Sequence, residues 1–209
     1  MDIYIKKMKQ LESSFLSIYP DGFQHPRLKE IGKKMKSEQL FLLAQESFAK
    51  EKFEEPLELT KAMVKVITRS PLVSLFEKPK LRDYVEALSK KDKEILSNGL
   101  YEFFYGKEEL GFNLQLDVLS KGKLAKWSIL TVCPTYLRPQ KEIFVKPTTT
   151  KDILAYFQIP DLEYKPTPSY EFYKKYRTWI NKMKTQADPS LSPSNAAFSG
   201  FLMMSLGKK

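Results

Sequence analysis

Apolar residues recur every three or four positions over most of the first 120 residues, the spacing that places them on one face of an α-helix. In residues 3–18 this stripe consists of Ile5, Met8, Leu11, Phe15 and Ile18. A turn at residues 19–22 ends it, and further helices are predicted over about 27–53, from Pro56 to Ser70, over 81–88 and over 91–105. The pattern predicts a helical bundle for residues 1–120.

The pattern changes after Gly122. Residues 127–133 and 142–145 are rich in β-branched and aromatic residues, and the proline-bounded stretch 134–139 separates them. This composition is typical of strands. We therefore predict a mainly α (α+β) fold, an irregular helical bundle with one small two-stranded β element in the C-terminal half.

Three more helices are predicted beyond the β element. Thr149 and Asp152 match the Ser/Thr-x-x-Asp/Glu pattern of a helix start, residues 169–184 have a helical apolar period, and residues 196–206 form a short terminal helix. The predicted organisation is a helical subregion, 1–120, and a basic α+β subregion, 121–209, packed as one compact domain.

Composition narrows the class of protein. No apolar run approaches the ~18 residues of a membrane span, and the charged N-terminal segment does not resemble a signal peptide, so we predict a cytoplasmic protein. The one cysteine, Cys133, excludes an internal disulfide and is predicted to be a buried thiol at a strand end. With His25 as the one histidine, neither a His/Cys zinc site nor a Ser-His-Asp triad is expected, and no metal or organic cofactor is predicted.

Positive charge is concentrated towards the C-terminal end. Residues 121–209 hold 15 Lys and Arg against 6 Asp and Glu, whereas residues 1–60 hold 10 of each. Lys and Arg that neutralise phosphates release condensed counterions, so a polyanion is the expected partner. Our leading hypothesis is a non-enzymatic, nucleic-acid-associated accessory protein with a basic C-terminal surface, and another acidic partner is the alternative for the same charge.

Aromatic residues are interleaved with these cations, and their faces can stack on the bases of single-stranded nucleic acid. The aromatic candidates are Trp127, Tyr136 and Phe144. The predicted nucleic-acid-binding residues are Lys121, Lys123, Lys126, Arg138, Lys141, Lys146, Lys151, Lys174, Lys175 and Arg177. The alternative is that the aromatic rings face inward and the cations form an ordinary solvated surface.

Three threonines, Thr148, Thr149 and Thr150, open a predicted helix between Lys146 and Lys151. A helix start presents unpaired N–H groups and the positive end of the helix dipole, so these residues are a candidate anion-binding site. The alternative is that Thr149 only caps its own helix.

Two other functions stay open. One is a protein-interaction or scaffold subunit that docks through the Met-rich segment 201–206, which an exposed apolar patch at Phe201 and Met203 would favour. The other is a metal-dependent nuclease with carboxylates that spacing does not reveal, which convergent acids in a cleft would favour. The Asp161 and Glu163-x-Lys165 string has the residue types of a nuclease motif, but its halves are contiguous in one predicted loop.

Several short segments of the C-terminal part also carry a resemblance. They are Trp127, Thr131, Arg138-Pro139, Ile143-Phe144-Val145-Lys146-Pro147-Thr148, Thr150, Tyr164, Pro166, Ser169-Tyr170 and the segment 195–201. This pattern resembles a family of uncharacterised bacterial proteins. The resemblance implies a bacterial origin and a recurring domain, and no activity or catalytic residue.

Overall fold

The computed structural model describes residues 2–207, whose regular structure consists of eleven α-helices and three short 3-10 helices. The α-helices are α1 (Asp2–Ile18), α2 (Pro26–Lys34), α3 (Ser37–Ser47), α4 (Pro56–Arg69), α5 (Glu77–Ala87), α6 (Lys90–Tyr105), α7 (Glu108–Lys121), α8 (Trp127–Leu137), α9 (Pro147–Phe157), α10 (Tyr170–Lys184) and α11 (Asn195–Leu206). The 3-10 helices are Gly22–Gln24, Lys50–Glu54 and Pro189–Leu191. The mainly α prediction is confirmed.

The predicted two-stranded β element is wrong, because residues 2–207 contain no strand. Residues 127–133 lie in α8, of whose eleven residues ten are buried. Inside this helix the Thr131 hydroxyl donates to the Trp127 carbonyl at 2.6 Å, and the Thr135 hydroxyl donates to the Thr131 carbonyl at 2.7 Å. Burial on all sides requires apolar residues around the whole helix, and tertiary packing overrides the β-propensity of such a sequence.

The segment 142–145, predicted to be the second strand, has no regular secondary structure. Two of its N–H groups donate to side chains: Val145 N to Thr131 Oγ1 at 3.1 Å, and Ile143 N to the Tyr173 hydroxyl at 3.4 Å. Ile143 and Val145 are fully buried. An alternation of buried residues therefore arises here without a partner strand.

The bounds of two predicted helices need correction. The helix predicted over 27–53 is divided into α2 and α3, because Lys36 adopts a left-handed φ of +51° between them. The helix predicted to start at Thr149 is α9, which begins at Pro147 after Lys146. Thr149 consequently lies in the first turn and is not the cap.

Helices α6 and α7 pack together through two glycines. A Cβ added to Gly111 would lie against Phe103 N and 2.6 Å from the Gly99 carbonyl oxygen. Gln115 Nε2 donates to the Gly99 and Gly111 carbonyls at 3.2 and 3.1 Å. The two backbones therefore approach more closely than any larger residue at 111 would allow.

The buried apolar side chains form one cluster that extends from Met8 in α1 to Leu202 in α11. Cys133 lies inside it, in the middle of α8 rather than at a strand end. Burial raises the pKa of this thiol, as predicted for a structural cysteine. Within residues 2–207, no helix combines the length and the apolar character that crossing a membrane requires.

Candidate nucleic-acid interface

Several predicted nucleic-acid-binding residues form ion pairs on the surface. Lys121 lies 2.8 Å from Asp92, and Lys175 lies 2.8 Å from Glu171. Both lysines are more than half exposed, and such surface pairs contribute about 0–1 kcal/mol. These two lysines are exposed, but each has a carboxylate beside it that lowers the local positive potential.

Arg138 and Lys141 are bound to other parts of the protein. The Arg138 guanidinium donates to the Phe104 carbonyl and lies 5.5 Å from the centre of the Tyr105 ring. Lys141 forms an ion pair with Glu108. Both cations fasten the loop after α8 to the α6–α7 pair, so their role in the structure is attachment.

Arg177 is not on the surface, because it lies at the centre of a buried ionic cluster. Its guanidinium nitrogens each lie 2.5 Å from a carboxylate, Nη1 from Glu142 and Nη2 from Glu108. The Tyr173 hydroxyl donates to Glu142 at 2.9 Å and the Tyr170 hydroxyl to Glu108 at 3.1 Å. Arg177 therefore does not lie with the exposed cations of the predicted interface: this residue joins α7, α10 and the 138–146 loop.

In this cluster the opposite charges stabilise the ionised forms of one another. Burial raises the pKa of Glu108, but hydrogen bonds from Arg177 and Lys141 outweigh this effect and lower the pKa to about 2. Burial also lowers the pKa of Arg177, and the two carboxylates more than reverse that effect. The Glu142 side chain is fully buried, and its Oε1 has no hydrogen bond within residues 2–207, with Lys141 Nζ 3.5 Å away.

The same cluster bears on the nuclease alternative. Glu108 and Glu142 do converge, but on a guanidinium and an ammonium group rather than on a vacant cleft. Asp161 and Glu163 are exposed. Among residues 2–207, no three or more His, Cys, Asp or Glu side chains are grouped to hold a metal ion.

The three hydroxyl groups of the candidate anion site are not all accessible to a ligand. Thr149 is 6% exposed and Thr150 is 1% exposed, whereas Thr148 is on the surface. Of the three hydroxyl groups, that of Thr148 is the one on the surface at this helix start. The structure therefore does not bring Thr148, Thr149 and Thr150 together as predicted.

The segment that the scaffold alternative uses is largely internal. Phe201 and Leu202 are fully buried, and Met203 is 38% exposed. The exposed apolar patch that would favour docking through residues 201–206 is therefore not present in α11.

Five of the predicted cations are exposed and form no ion pair within residues 2–207. They are Lys123, Lys126, Lys146, Lys151 and Lys174. These residues are the part of the predicted interface that is available to a ligand.

The Trp127 side chain brings some of them to one surface. Its indole N–H donates to the Lys165 carbonyl at 2.8 Å, and its ring centre lies 6.5 Å from the centre of the Tyr164 ring. The Lys151 ammonium group lies 5.4 Å from the centre of that Tyr164 ring. We define the basic face as the exposed residues Lys151 and Lys165 at this contact, together with Lys126, which directly precedes Trp127, and Lys123, which precedes Lys126 by three residues.

The other two exposed cations lie elsewhere. Lys146 Nζ is 3.5 Å from the Met203 sulfur. Phe172 packs on Trp127 with ring centres 5.2 Å apart, and Lys174 follows it by two residues, about 200° around α10. Lys174 therefore points away from the basic face.

The predicted stacking residues are not available to bases. Trp127 is 2% exposed and Tyr136 is 3% exposed, and Phe144 is only partly accessible. The inward-facing alternative is correct for these residues. The aromatic residue with the greatest exposure is Phe76, at 83%, and the neighbouring Leu75 is 78% exposed.

We refer to Leu75 and Phe76 as the apolar tip. The next residue, Glu77, accepts a hydrogen bond from Ser128 Oγ at 3.0 Å. This bond places the tip beside the start of α8, where Lys126 precedes the helix. The tip therefore borders the basic face.

The chain around the tip is itself basic. Residues 69–82 contain Arg69, Lys78, Lys80 and Arg82 and one acid, Glu77. Lys78 and Lys80 therefore add positive charge at the start of α5, whereas Arg82 forms an ion pair with Asp83 at 2.8 Å. The excess of cations in residues 69–82 is hidden in the net charge of residues 61–120, because acidic residues after Arg82 offset it.

Comparison with known proteins gives no relative. No protein-family model matches the chain, and no curated protein and no solved structure matches it significantly. The resemblance of residues 127–201 to a bacterial family stays a prediction.

Proposed function

We propose that the protein binds nucleic acid without catalysing a reaction, as an accessory protein of the bacterial cytoplasm, and that it does so through the basic face. The observation that carries the proposal is that Lys151 and Lys165, exposed and without an ion pair in the described chain, lie at the Trp127–Tyr164 contact, which the exposed Lys123 and Lys126 directly precede in the chain. Cations that form no ion pair keep more of their attraction for phosphates than paired ones, and within this group Lys165 lies close enough to Glu171 to lower the pKa of that carboxyl.

The size of the basic face sets the expected strength of binding. Four phosphate contacts give a log–log salt dependence with a slope of about −3 on a single strand, from roughly −0.7 per contact. The residues around the apolar tip would add to this slope, since Lys78 and Lys80 continue the positive surface. Binding is therefore expected at low salt and should weaken steeply as salt is added.

The test is fluorescence anisotropy with labelled single-stranded and duplex oligonucleotides at several salt concentrations. In the variant Lys126→Glu/Lys165→Glu, affinity should fall and the salt slope should decrease by about 1 to 2, in proportion to the contacts removed. The matched control is Lys29→Glu/Lys33→Glu, which makes the same charge change on the exposed side of α2.

The control separates a local site from net charge. If both variants lose affinity equally, the attraction comes from the total charge and the basic face is not the site. Absence of binding by the wild-type protein at low salt would contradict the proposal as a whole.

A further inference from the structure

We propose that the apolar tip is a stacking element for single-stranded nucleic acid, with the Phe76 ring lying against an unpaired base. This inference rests on the proposed function, because the basic face supplies the attraction that brings the strand to the tip. It begins from exposure: Phe76 and Leu75 are the two most exposed of the large apolar residues in the described chain, and they are adjacent. Single exposed apolar residues are common on protein surfaces, whereas a displayed pair marks a contact site more often.

The tip is held rigidly. The Ser70 and Tyr136 hydroxyl groups lie 2.9 Å apart in the core, and Ser70 Oγ also accepts from Leu72 N at 3.1 Å. Phe76 N donates to Ser74 Oγ at 3.3 Å. Because the turn is fixed at its base and near its end, presenting Phe76 to a ligand costs little additional ordering.

The position of the tip favours a nucleic acid strand. Glu77, which follows Phe76, binds Ser128, two residues after Lys126, and from there the basic face continues to Lys165 and Lys151 at the half-buried Tyr164. A flexible strand can follow such a track, with phosphates on the lysines and a base on the exposed ring.

The chemistry of the ring favours single strands over duplexes. Bases in a duplex already stack on each other, so their faces are not accessible to a phenyl ring at the surface. Bases in a single strand offer both faces, and stacking on them tolerates any sequence. The tip therefore predicts a preference for single strands that the lysines alone would not produce.

The deciding variant is Phe76→Ala, with Phe76→Trp as the variant that keeps an aromatic face. The probes are a labelled oligothymidylate of about 15 nucleotides, an abasic strand of the same length and a matched duplex. Phe76→Ala should weaken binding to oligothymidylate about 5- to 150-fold and leave the salt slope unchanged, because no phosphate contact is lost. Binding to the abasic strand and the duplex should change less than about twofold, and Phe76→Trp should restore the affinity.

Leu42→Ala serves as the matched control, because Leu42 is 61% exposed on α3 and lies outside the tip. It should leave all three affinities unchanged. Circular dichroism of each variant checks that the fold is retained, as expected for exposed positions.

Different results overturn different parts of the argument. If Phe76→Ala has no effect while Lys126→Glu/Lys165→Glu abolishes binding, the stacking inference is wrong and the proposed function stands. If the wild-type protein binds none of the strands, both are wrong. If it instead sediments with phosphatidylserine vesicles and Phe76→Ala releases it, the tip belongs to a membrane contact and both are likewise overturned.

Discussion

Removal of the Arg177 guanidinium should destabilise the protein more than any surface change of equal size. The substitution Arg177→Met keeps a long apolar side chain and removes both donors. Glu142, fully buried, then retains the Tyr173 hydroxyl at 2.9 Å and the Lys141 ammonium at 3.5 Å. The Glu142 carboxylate therefore loses its closest cation and stays in the interior with the more distant Lys141 as its counter-charge.

The magnitude follows from the burial of the two partners of Arg177. Breaking a buried ion pair by removing one partner costs about 3–5 kcal/mol. Glu108 is 22% exposed and keeps Lys141, so most of the loss arises at Glu142. We expect the free energy of unfolding to fall by about 3–5 kcal/mol, a large part of the ~5–15 kcal/mol typical of a domain.

The assay is urea unfolding followed by the fluorescence of the two buried tryptophans, Trp127 and Trp179. A lower midpoint at an unchanged slope would report a loss of stability alone. The control is Lys175→Met, which breaks an ion pair whose Glu171 side chain is 79% exposed and should cost less than about 0.5 kcal/mol.

A double-mutant cycle with Glu142→Gln isolates the pair. Without the buried charge, Arg177→Met should cost at least ~1.5 kcal/mol less than it does in the wild-type background. The reasoning would be refuted by a loss below ~1 kcal/mol for Arg177→Met, or by costs that simply add in the double variant.

Two further predictions concern acid stability and helix packing. The folded pKa of Glu108, about 2, lies below the ordinary 4.5, so its contribution to the free energy of unfolding is complete above pH 4.5 and is lost as pH falls towards 2. The pKa shift corresponds to at most ~3.4 kcal/mol, which we reduce to about 2 kcal/mol because Lys141 is half exposed. Urea midpoints measured down this pH range should decline less in Glu108→Gln than in the wild type, and equal declines would contradict the assignment. Gly111→Ala should cost about 1–3 kcal/mol or more by forcing α6 and α7 apart, whereas Gly32→Ala, with no atom within 4 Å of the added carbon, should be neutral or stabilising by up to ~1 kcal/mol in the same assay.

Amphipathic helices were predictable because most of their buried positions are apolar at helical spacing, as in α1, α4 and α10. Helix α7 was missed because two of its buried positions are Gly111 and Gln115, which a search for apolar period does not count. Helix α8 was assigned to a strand because a helix buried on all sides has no polar face and so no helical period.

The candidate site was predictable only as a composition. The excess of cations is visible in the sequence, but their pairing is not, since Arg177 reaches Glu108 and Glu142 across separations of 69 and 35 residues. Phe76 gave no sign of its exposure, because a phenylalanine in a turn is usually packed beneath it. Lys165 was not chosen because only the Trp127 indole, folded back onto its carbonyl, shows that it joins the basic face.

The burial of α8 on all sides affects how the chain folds while it is being synthesised. Some of the residues that pack on α8 are synthesised before it, such as Phe41, whose ring centre lies 5.8 Å from the ring centre of Tyr136. Others are synthesised later, such as Val145 and Phe172. Until α10 has left the ribosome, a helix with apolar residues around its whole circumference lacks part of its cover, and such a nascent chain is a natural substrate for chaperones.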